Sequence, residues 1–454
     1  MGVSPRIIHY SDVEKAYDTP ERIGRFAGTV AAADGPDALV VGTGDNTGPG
    51  VLSLVTDGEQ SLDLFTALTP AFETLGNHDF DHGLAMTREI IARSPQAWLT
   101  ANVEQDGERF ARRLTRPWAN RTVDGVQVGF VGVTSPDTAL ANPQATTLTF
   151  TDPFEAVSEA ATALRDAGAE AVVVLSHLGR IDEKLARACD VDVILGGHVH
   201  ERRIDRLDGT LLTRPGANGR TVVEVDLAGP EPTAQFRETA DGPLDDRVAA
   251  AIEDRLSAAG LHEVIGHAAD PIDRSQATTY GGECRLGNLV ADAYRWATGA
   301  DVALQNSGGL RNDTVPLDGA LTVADMVSVV PFEEPLTVAE LTGAELRTLC
   351  RQGSGQQVAF GEPDWWHAHF SGVELVWNDD TQIIERLQVD GRPVRDTETY
   401  TLATSNYLYY TELEFPVLTE SHRVSVADVQ YEALADYVRE TDIAPAVDGR
   451  LTRR

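Results

Sequence analysis

Lysine is almost missing from this chain: Lys15 and Lys184 are the only two in 454 residues. With arginine included, 37 basic side chains face 71 acidic ones, a formal net charge of −34. A surface of that sign repels a phosphate polymer, which argues against nucleic-acid binding. The bias suits a halophilic protein adapted to high intracellular salt. At ~1 M ionic strength the Debye length falls to ~3 Å, which screens the self-repulsion. Cysteine is scarce too. Cys189, Cys284 and Cys350 are too few and too scattered for a disulfide framework or a zinc knuckle, and reduced thiols are expected. No apolar run approaches the roughly 18 residues of a membrane span, so no membrane partner is expected. The opening "MGVSPRIIHYSD" enters a strand-like segment almost at once, with no room for a signal peptide, and predicts a cytoplasmic location. Arg6 stands where N-myristoylation needs Ser or Thr. Internal repeats and low-complexity tracts are absent from the sequence as well.

What the chain does have is ordered hydrophobic patterning. Its length exceeds what one core usually organises, and its 42% hydrophobic content is ordinary for a globular protein, so two domains are expected. Residues 1–240 alternate β-branched runs with Ala-rich amphipathic segments. "DALVVGTGD" (37–45), "AFETLGNHD" (71–79), "GVQVGFVGVT" (125–134), "AEAVVVLSH" (169–177) and "VDVILGGH" (191–198) predict buried strands. "PFEAVSEAATALRDAG" and "DEKLARACD" predict helices between them, which together define an α/β layered domain. The Pro-, Gly- and acid-rich stretch 226–246 suits a boundary. "DDRVAAAIEDRLSAAG" (245–260) predicts a connecting helix ended by glycine, so 241–262 is expected as linker and connecting helix. Over 263–454 the helix "LGNLVADAYRWATG", the strand "DVALQNSGG", and then "PLTVAELTGAELRTLC", "GVELVWN" and "ETYTLATSNYL" predict a second α/β domain with more sheet.

The run "VDVILGGHVHER" ends a strand in two histidines. Residues at i and i+2 of an extended segment project to one face, so His198 and His200 reach one place. Alone, such a pair is ordinary decoration. It gains meaning from partners: Asp12 and Glu14 after "RIIHY", Asp45 after "ALVVGTG", Asn77, His78 and Asp81 in "GNHDFD", and His177 closing "AVVVLSH". Singly, Asp45 reads equally well as a helix cap and Asn77 as a turn residue. Together, five strand-like runs end in Asp, Asn or His, at the strand ends where open α/β sheets bind ligands.

At this point the sequence resembles the calcineurin-like metallophosphoesterases, specifically the two-domain 5′-nucleotidase family. "GDN", "GNHDFD", "SH" and "GGHVH" follow the first domain's motifs in order, while "ECRLGNLVADA", "NSGGLRN" and "PFEEPLTVAELTG" resemble the nucleotide-binding second domain. The resemblance implies a metallophosphoesterase domain with a central β-sandwich flanked by helices, followed by an α+β 5′-nucleotidase-type domain. It implies one metal held by Asp12, Glu14, Asp45 and His200, and a second by Asp45, Asn77, His177 and His198, with Asp45 bridging. Two such cations can neutralise an in-line phosphoryl transition state. His78 would sit by the leaving oxygen and Asp81 would orient it. In the second domain Asn306, Arg311, Asn406 and Tyr407 would contact substrate.

Several positions depart from the family pattern. Glu14 stands where the family has histidine, and a carboxylate tilts the site from Zn toward Mn, Mg or Fe, with Mn favoured and Co also admitted. The competing reading makes Glu14 a surface acid. Tyr280 replaces an additional phosphate arginine, with Arg285 as the candidate substitute. "SNYLYYTELEF" replaces "NFLAxGGDG" and its ribose-binding aspartate, and Leu336 replaces a second base-stacking aromatic. A further HxH, His367 and His369 in "WWHAHF", has no acidic or histidine motif beside it and reads as structural or rim. The expectation is a cytoplasmic dinuclear metallophosphatase of nucleotide catabolism, acting on a small-molecule phosphoester such as a nucleoside phosphate. The alternatives are a metal-dependent phosphodiesterase or pyrophosphohydrolase for cyclic nucleotides or nucleotide sugars, and a noncatalytic ligand-binding relative.

Overall fold

β-Branched runs broken by Gly and Asp become the strands of two facing sheets. The computed structural model describes residues 5–229, 231–312, 315–411 and 413–454, so the reading of residues 1–4 lies outside it. The chain divides into two units, Met1–Ala259 and Gly260–Arg454.

In the first unit the strands of the two main sheets are β1 (Arg6–Tyr10), β2 (Ala38–Gly42), β3 (Phe72–Thr74), β4 (Ala97–Leu99), β5 (Thr115–Arg116), β6 (Trp118–Val123) and β7 (Val126–Thr134). They continue with β8 (Ala171–His177), β9 (Val193–Gly196), β10 (Arg203–Leu207), β11 (Thr210–Arg214), β12 (Thr221–Asp226) and β13 (Thr233–Glu238). One seven-stranded sheet runs β13-β12-β1-β2-β3-β4-β5, and a six-stranded sheet runs β10-β11-β9-β8-β7-β6. β1 through β5 are parallel, as are β7, β8, β9 and β11. Parallel pairing gathers the carboxyl ends of β1, β2 and β3 at one edge of their sheet, and those of β8 and β9 at one edge of the other.

The sheets pack face to face. Ile7, Val41 and Leu99 of one meet Val173, Leu175 and Leu195 of the other, all fully buried. Each such side chain contributes about 1.5–3 kcal/mol of burial. Helices α1 (Pro20–Ala33), α2 (Pro153–Asp166), α3 (Asp182–Ala188) and α4 (Asp246–Ala258) flank the sandwich. α2 begins where Asp152 accepts from the Phe154 N–H at 2.7 Å with Pro153 next, and it buries Val157 and Leu164 against the outer face of the six-stranded sheet. The sandwich flanked by helices is the architecture the resemblance implied.

Two local expectations change. The Pro/Gly-rich stretch 226–246 contains the edge strand β13, because Thr233–Glu238 pairs antiparallel with β12. α4 packs on α1 inside the first unit, where the Asp245 N–H donates to Gly24 O at 2.9 Å, so this helix is part of the first layer structure. The segment that enters α4 also lies close on α1: a Cβ on Gly28 would lie 2.1 Å from Pro243 O.

The second unit contains β14 (Val264–Ile272), α5 (Arg285–Thr298), β15 (Val302–Asn306), β16 (Leu317–Thr322), β17 (Pro335–Thr342), α6 (Gly343–Arg351), β18 (Ala368–Ser371), β19 (Val373–Asn378) and β20 (Ile383–Val389). β21 (Arg392–Pro393), β22 (Thr399–Ser405), β23 (Arg423–Val429), α7 (Gln430–Glu440) and β24 (Leu451–Arg453) complete it. Its main sheet runs β18-β15-β22-β17-β23, beside a four-stranded sheet β21-β20-β19-β24 and the pair β14-β16. α5 and α7 cover one face, burying Leu289, Val290, Tyr294 and Leu434. Trp366, Trp377, Leu346 and Leu349 fill the other core. The strand-to-helix switch in "PLTVAELTGAELRTLC" falls at Thr342, whose hydroxyl and main chain form a capping box with Glu345. All three cysteines are buried and unpaired. Among the described residues, no helix is long and apolar enough to cross a membrane.

The close approach of α1 to the segment that enters α4 makes Gly28→Ala an informative variant. It should destabilise the first unit by about 1–3 kcal/mol, the usual cost of overpacking. Thermal melting in high salt measures this, and an unchanged midpoint would contradict the close approach.

Candidate metal centre

Every residue expected from the first domain's motifs lies at a strand end. Asp12 and Glu14 follow β1, Asp45 follows β2, Asn77 and His78 follow β3, His177 closes β8, and His198 and His200 follow β9. The chain turns sharply at these points. Asp12, Glu14, Asp45 and His198 have φ of 50°, 45°, 53° and 70°, the left-handed region that only glycine adopts freely. Each such position costs about 1–3 kcal/mol and persists only where the surroundings dictate it. Gly197 permits the approach of the two sheets here, since a Cβ on it would lie 2.3 Å from Ser11 Oγ and 2.9 Å from His177 Nδ1.

Two groups of donor atoms result. One donor atom from each of Asp12, Glu14 and His200 lies within 4.8 Å of the others, and the same holds for Asp45, His177 and His198. Glu14 is 4% exposed and 2.9 Å from His200 Nε2, which overturns its reading as a surface acid. Asn77 joins the second group through Oδ1, 2.8 Å from His198 Nδ1. Asp45, in the second group, accepts from the His78 N–H through Oδ1 at 2.7 Å and sits 3.0 Å from His177 Nε2 through Oδ2, while the His198 N–H donates to Asp12 Oδ1 of the first group at 3.1 Å.

The donors fit a cation. Asp12 Oδ2 and His177 Nε2 are buried and make no aligned hydrogen bond, a costly state for a polar atom unless something else takes the lone pair. The other ring nitrogen of His177 donates to Thr43 O at 2.7 Å, which fixes the tautomer and leaves Nε2 as the donor. Oxygen and imidazole nitrogen donors of this kind suit a divalent metal ion.

Electrostatics point the same way. Burial, reinforced by Asp45 and Glu14, pushes Asp12 up to about 7. Burial would lower His177, but Asp45 and then Asp12 hold it up to about 10. Burial would raise Asp45, yet the charges of His177 and His78 bring it to about 2. His200 is raised by its hydrogen bond to Glu14, whereas burial and the His177 charge lower His198 to about 4. Without a cation, protons on histidines balance the carboxylates.

His78 stands beside these groups. Its Nδ1 is 2.8 Å from Asp81 Oδ2, and Asp45 and Asp81 outweigh burial to raise it to about 9. The pair expected from "GNHDFD" is therefore assembled.

Sequence reasoning missed the supports. Asp79, 5% exposed, accepts from the N–H groups of Asp45 (3.0 Å), Thr47 (3.2 Å) and Gly76 (2.7 Å), and from the Thr47 hydroxyl (2.7 Å). Glu73, fully buried, accepts from Tyr10 Oη at 2.6 Å and Asn46 Nδ2 at 2.5 Å. Asn142 donates to Asp81 and to Asn77 O. The adjacent acids in "FETLGNHDFD" were the available signal for the first two, and nothing in the sequence marks Asn142.

In the second unit, Asn306 is 3% exposed and donates through Nδ2 to Glu414 Oε2 at 2.8 Å. Tyr407 is 46% exposed, and its hydroxyl is 3.3 Å from the other oxygen of Glu414. Arg311 lies over the Phe332 ring, 4.6 Å from its centroid, and Asn406 Oδ1 accepts from Arg423 at 2.8 Å. Glu414 is 2% exposed and raised by burial; no motif flags it. Arg285 does not substitute for a phosphate arginine, because it donates to the carbonyls of Pro445, Pro271 and Asp270. Tyr280 packs on Trp365 with ring centroids 4.2 Å apart, and Leu336 is fully buried in the core. His369 is structural, with Nε2 at 3.0 Å from both Ser307 Oγ and Thr279 O, and His367 is fully buried among Tyr280, Phe360 and Trp365.

Comparison with known proteins agrees with this arrangement. Residues 5–202 match the calcineurin-like phosphoesterase family, and residues 264–420 match the 5′-nucleotidase C-terminal domain. The chain belongs to the calcineurin-like phosphoesterases of the two-domain 5′-nucleotidase type. It is 27% identical to Endonuclease YhcR of Bacillus subtilis over 92% of its own length and 37% of that protein's. It is 26% identical to Cell wall protein Lmo0130 of Listeria monocytogenes, over 90% and 61% respectively. The chain thus spans only part of each. In fold it is similar to the crystal structure of a 5′-nucleotidase precursor from Thermus thermophilus, with a TM-score of 0.71, 24% identity and 99% of both chains covered.

Cation binding needs neutral imidazoles and ionised carboxylates, so it must expel the protons held on His177, on His200 and in part on Asp12. Affinity should therefore rise with pH through the neutral range. Calorimetric titration of Mn²⁺ into metal-free protein, in two buffers of different ionisation enthalpy, should register release of about one proton or more per chain near neutral pH. Proton uptake, or none exchanged, would contradict the assignment.

Proposed function

We propose that this protein is a metal-dependent phosphoester hydrolase that releases phosphate from nucleoside phosphates. The observation that carries the reading is the pair of donor groups, joined where the His198 N–H donates to Asp12 Oδ1 at 3.1 Å, beside the His78–Asp81 pair. Asp12, Glu14 and His200 would hold one divalent cation, and Asn77, His177 and His198 the other, with Asp45 shared. When bound, two such ions supply Lewis acidity to a phosphoryl group. His78, held at Nδ1 by Asp81, keeps Nε2 for the leaving oxygen and delivers a proton there as the ester bond breaks. Glu14 makes Mn²⁺ the favoured ion within this proposal.

The substrate class rests on the second unit. Tyr407 offers a half-exposed ring for a base, and Arg311 offers a planar, permanently charged fork for phosphate or a base edge. Glu414 is buried and accepts from both Asn306 and Tyr407, so it orients these two polar side chains. A polymeric nucleic-acid substrate is disfavoured by the net charge of −34. That charge and the three buried free cysteines also support a cytoplasmic setting at high salt as part of the same proposal.

A phosphoester panel assayed in high salt with Mn²⁺, Zn²⁺, Mg²⁺ or Co²⁺ tests the reaction. Nucleoside monophosphates should be hydrolysed and chelation should abolish turnover; activity indifferent to thorough chelation would sink the reading. His198→Ala and His200→Ala should each lower metal content, at different sites. Glu14→His should shift the preference toward zinc.

Substrate recognition has a separate check. Tyr407→Ala should raise KM for nucleoside monophosphates by the equivalent of ~1–3 kcal/mol of stacking. The same variant should affect p-nitrophenyl phosphate less. Equal losses on both substrates, or none on either, would move the substrate class away from nucleotides.

A further inference from the structure

We propose that Asn142 is a positioning residue that sets the geometry of the His78–Asp81 pair. The inference rests on the reading of His78 as the leaving-group acid. The pair itself is open to solvent, with side chains 38% and 29% exposed, and an exposed ion pair holds its own geometry only weakly. Asn142 is 5% exposed and sits behind it. Its Nδ2 donates to Asp81 Oδ1 at 2.8 Å and to the main-chain oxygen of Asn77 at 2.7 Å. Its Oδ1 accepts from the Gln144 N–H at 2.9 Å.

This amide has one possible orientation. A main-chain carbonyl and a carboxylate accept, while a main-chain N–H only donates, so exchanging the oxygen and nitrogen of Asn142 would break all three bonds. The main chain is fastened as well, because the Asn142 N–H donates to Thr138 O at 2.8 Å and its carbonyl accepts from the Ala145 N–H at 3.0 Å. One side chain therefore ties a fixed turn to both the residue preceding His78 and the acid that orients it.

The consequence falls on Asp81. Its two oxygens are divided, Oδ1 to Asn142 and Oδ2 to His78 Nδ1, so the carboxylate cannot rotate without losing a partner. His78 Nδ1 stays engaged, and Nε2 is left to serve the leaving oxygen. A loosened acid matters most where the leaving group needs its proton, for alkyl and nucleoside esters, and least for aryl esters whose phenolate leaves unaided.

The experiment compares wild type, His78→Ala, Asn142→Ala, Asn142→Asp and the His78→Ala/Asn142→Ala double variant. All are loaded with Mn²⁺ and assayed on phosphate monoesters of graded leaving-group pKa. Metal content and thermal midpoint are recorded alongside. Asn142→Asp keeps the acceptor for the Gln144 N–H but turns the donor into a carboxylate oxygen facing Asp81 Oδ1, so it breaks the clamp by loss of the donor and by repulsion, and serves as the second variant if the alanine variant folds poorly. The single Asn142 variants should lose about 10- to 100-fold in kcat on alkyl phosphates, as for other orienting partners, and a smaller factor on p-nitrophenyl phosphate, with metal content retained. In the His78→Ala background the Asn142 substitution should add little, because the two act as one unit. A leaving-group dependence in His78→Ala that the Asn142 variants do not share, or losses that add in the double variant, would overturn the inference. A flat dependence in His78→Ala would instead fail the reading of His78, and this inference with it.

Discussion

Three carboxylates, Asp12, Glu14 and Asp45, are buried at the ends of neighbouring strands, and their mutual repulsion is the constraint around which the first unit is organised. Like charges taken out of water destabilise one another unless positive charge is brought to them. In the metal-free chain the acids raise the proton affinity of the imidazoles beside them, holding His177 up to about 10 and His78 to about 9 and shifting His200 the same way. The rigid part of the answer is the sandwich, where the parallel strands of its two mixed sheets deliver the acids from one side and most of the imidazoles from the other. A second layer of buried acids, Asp79 and Glu73, accepts from the loops that carry Asp45 and so fixes where it points. Burial of the interleaved Val, Ile and Leu side chains offsets the left-handed turns and the crowded charge.

Much of the first unit was legible in the sequence. "AVVVLSH" and "VDVILGG" are long enough and β-branched enough to be buried parallel strands, and each ends in a residue type that packing alone does not require. The ligand-type residues could be grouped because parallel strands place their carboxyl ends together. The supports were not legible, for a physical reason. Asp79, Glu73 and Asn142 act through hydrogen bonds to main-chain groups, and such bonds leave no periodicity and demand no fixed spacing. The boundary at 226–246 misled because Pro and Gly signal a break in the chain whether it leaves a domain or returns as an edge strand.

The second unit behaved differently. Its elements followed from patterning, since α5 is amphipathic and β22 is a β-branched run that ends in four consecutive buried residues. Its candidate site did not, because recognition there depends on which polar groups meet rather than on strand ends. Glu414 lies seven residues after Tyr407, at a spacing that no motif marks, and the fold brings their polar atoms to 3.3 Å. Arg285 shows the opposite case, a cation at a suggestive place in the sequence whose donors are committed to carbonyl oxygens at the start of α5.

The hydrogen bond from His177 Nδ1 to the Thr43 carbonyl has a consequence for how this centre can drift over generations. The acceptor belongs to the peptide backbone, so no replacement of the Thr43 side chain deletes it. The imidazole tautomer is thereby written into the path of the chain and not into a second residue's identity. A centre oriented by a partner side chain has two places where one nucleotide change can disable it; at this histidine there is one. Heritable variation can therefore accumulate at position 43 without turning the donor nitrogen of His177 away from its task.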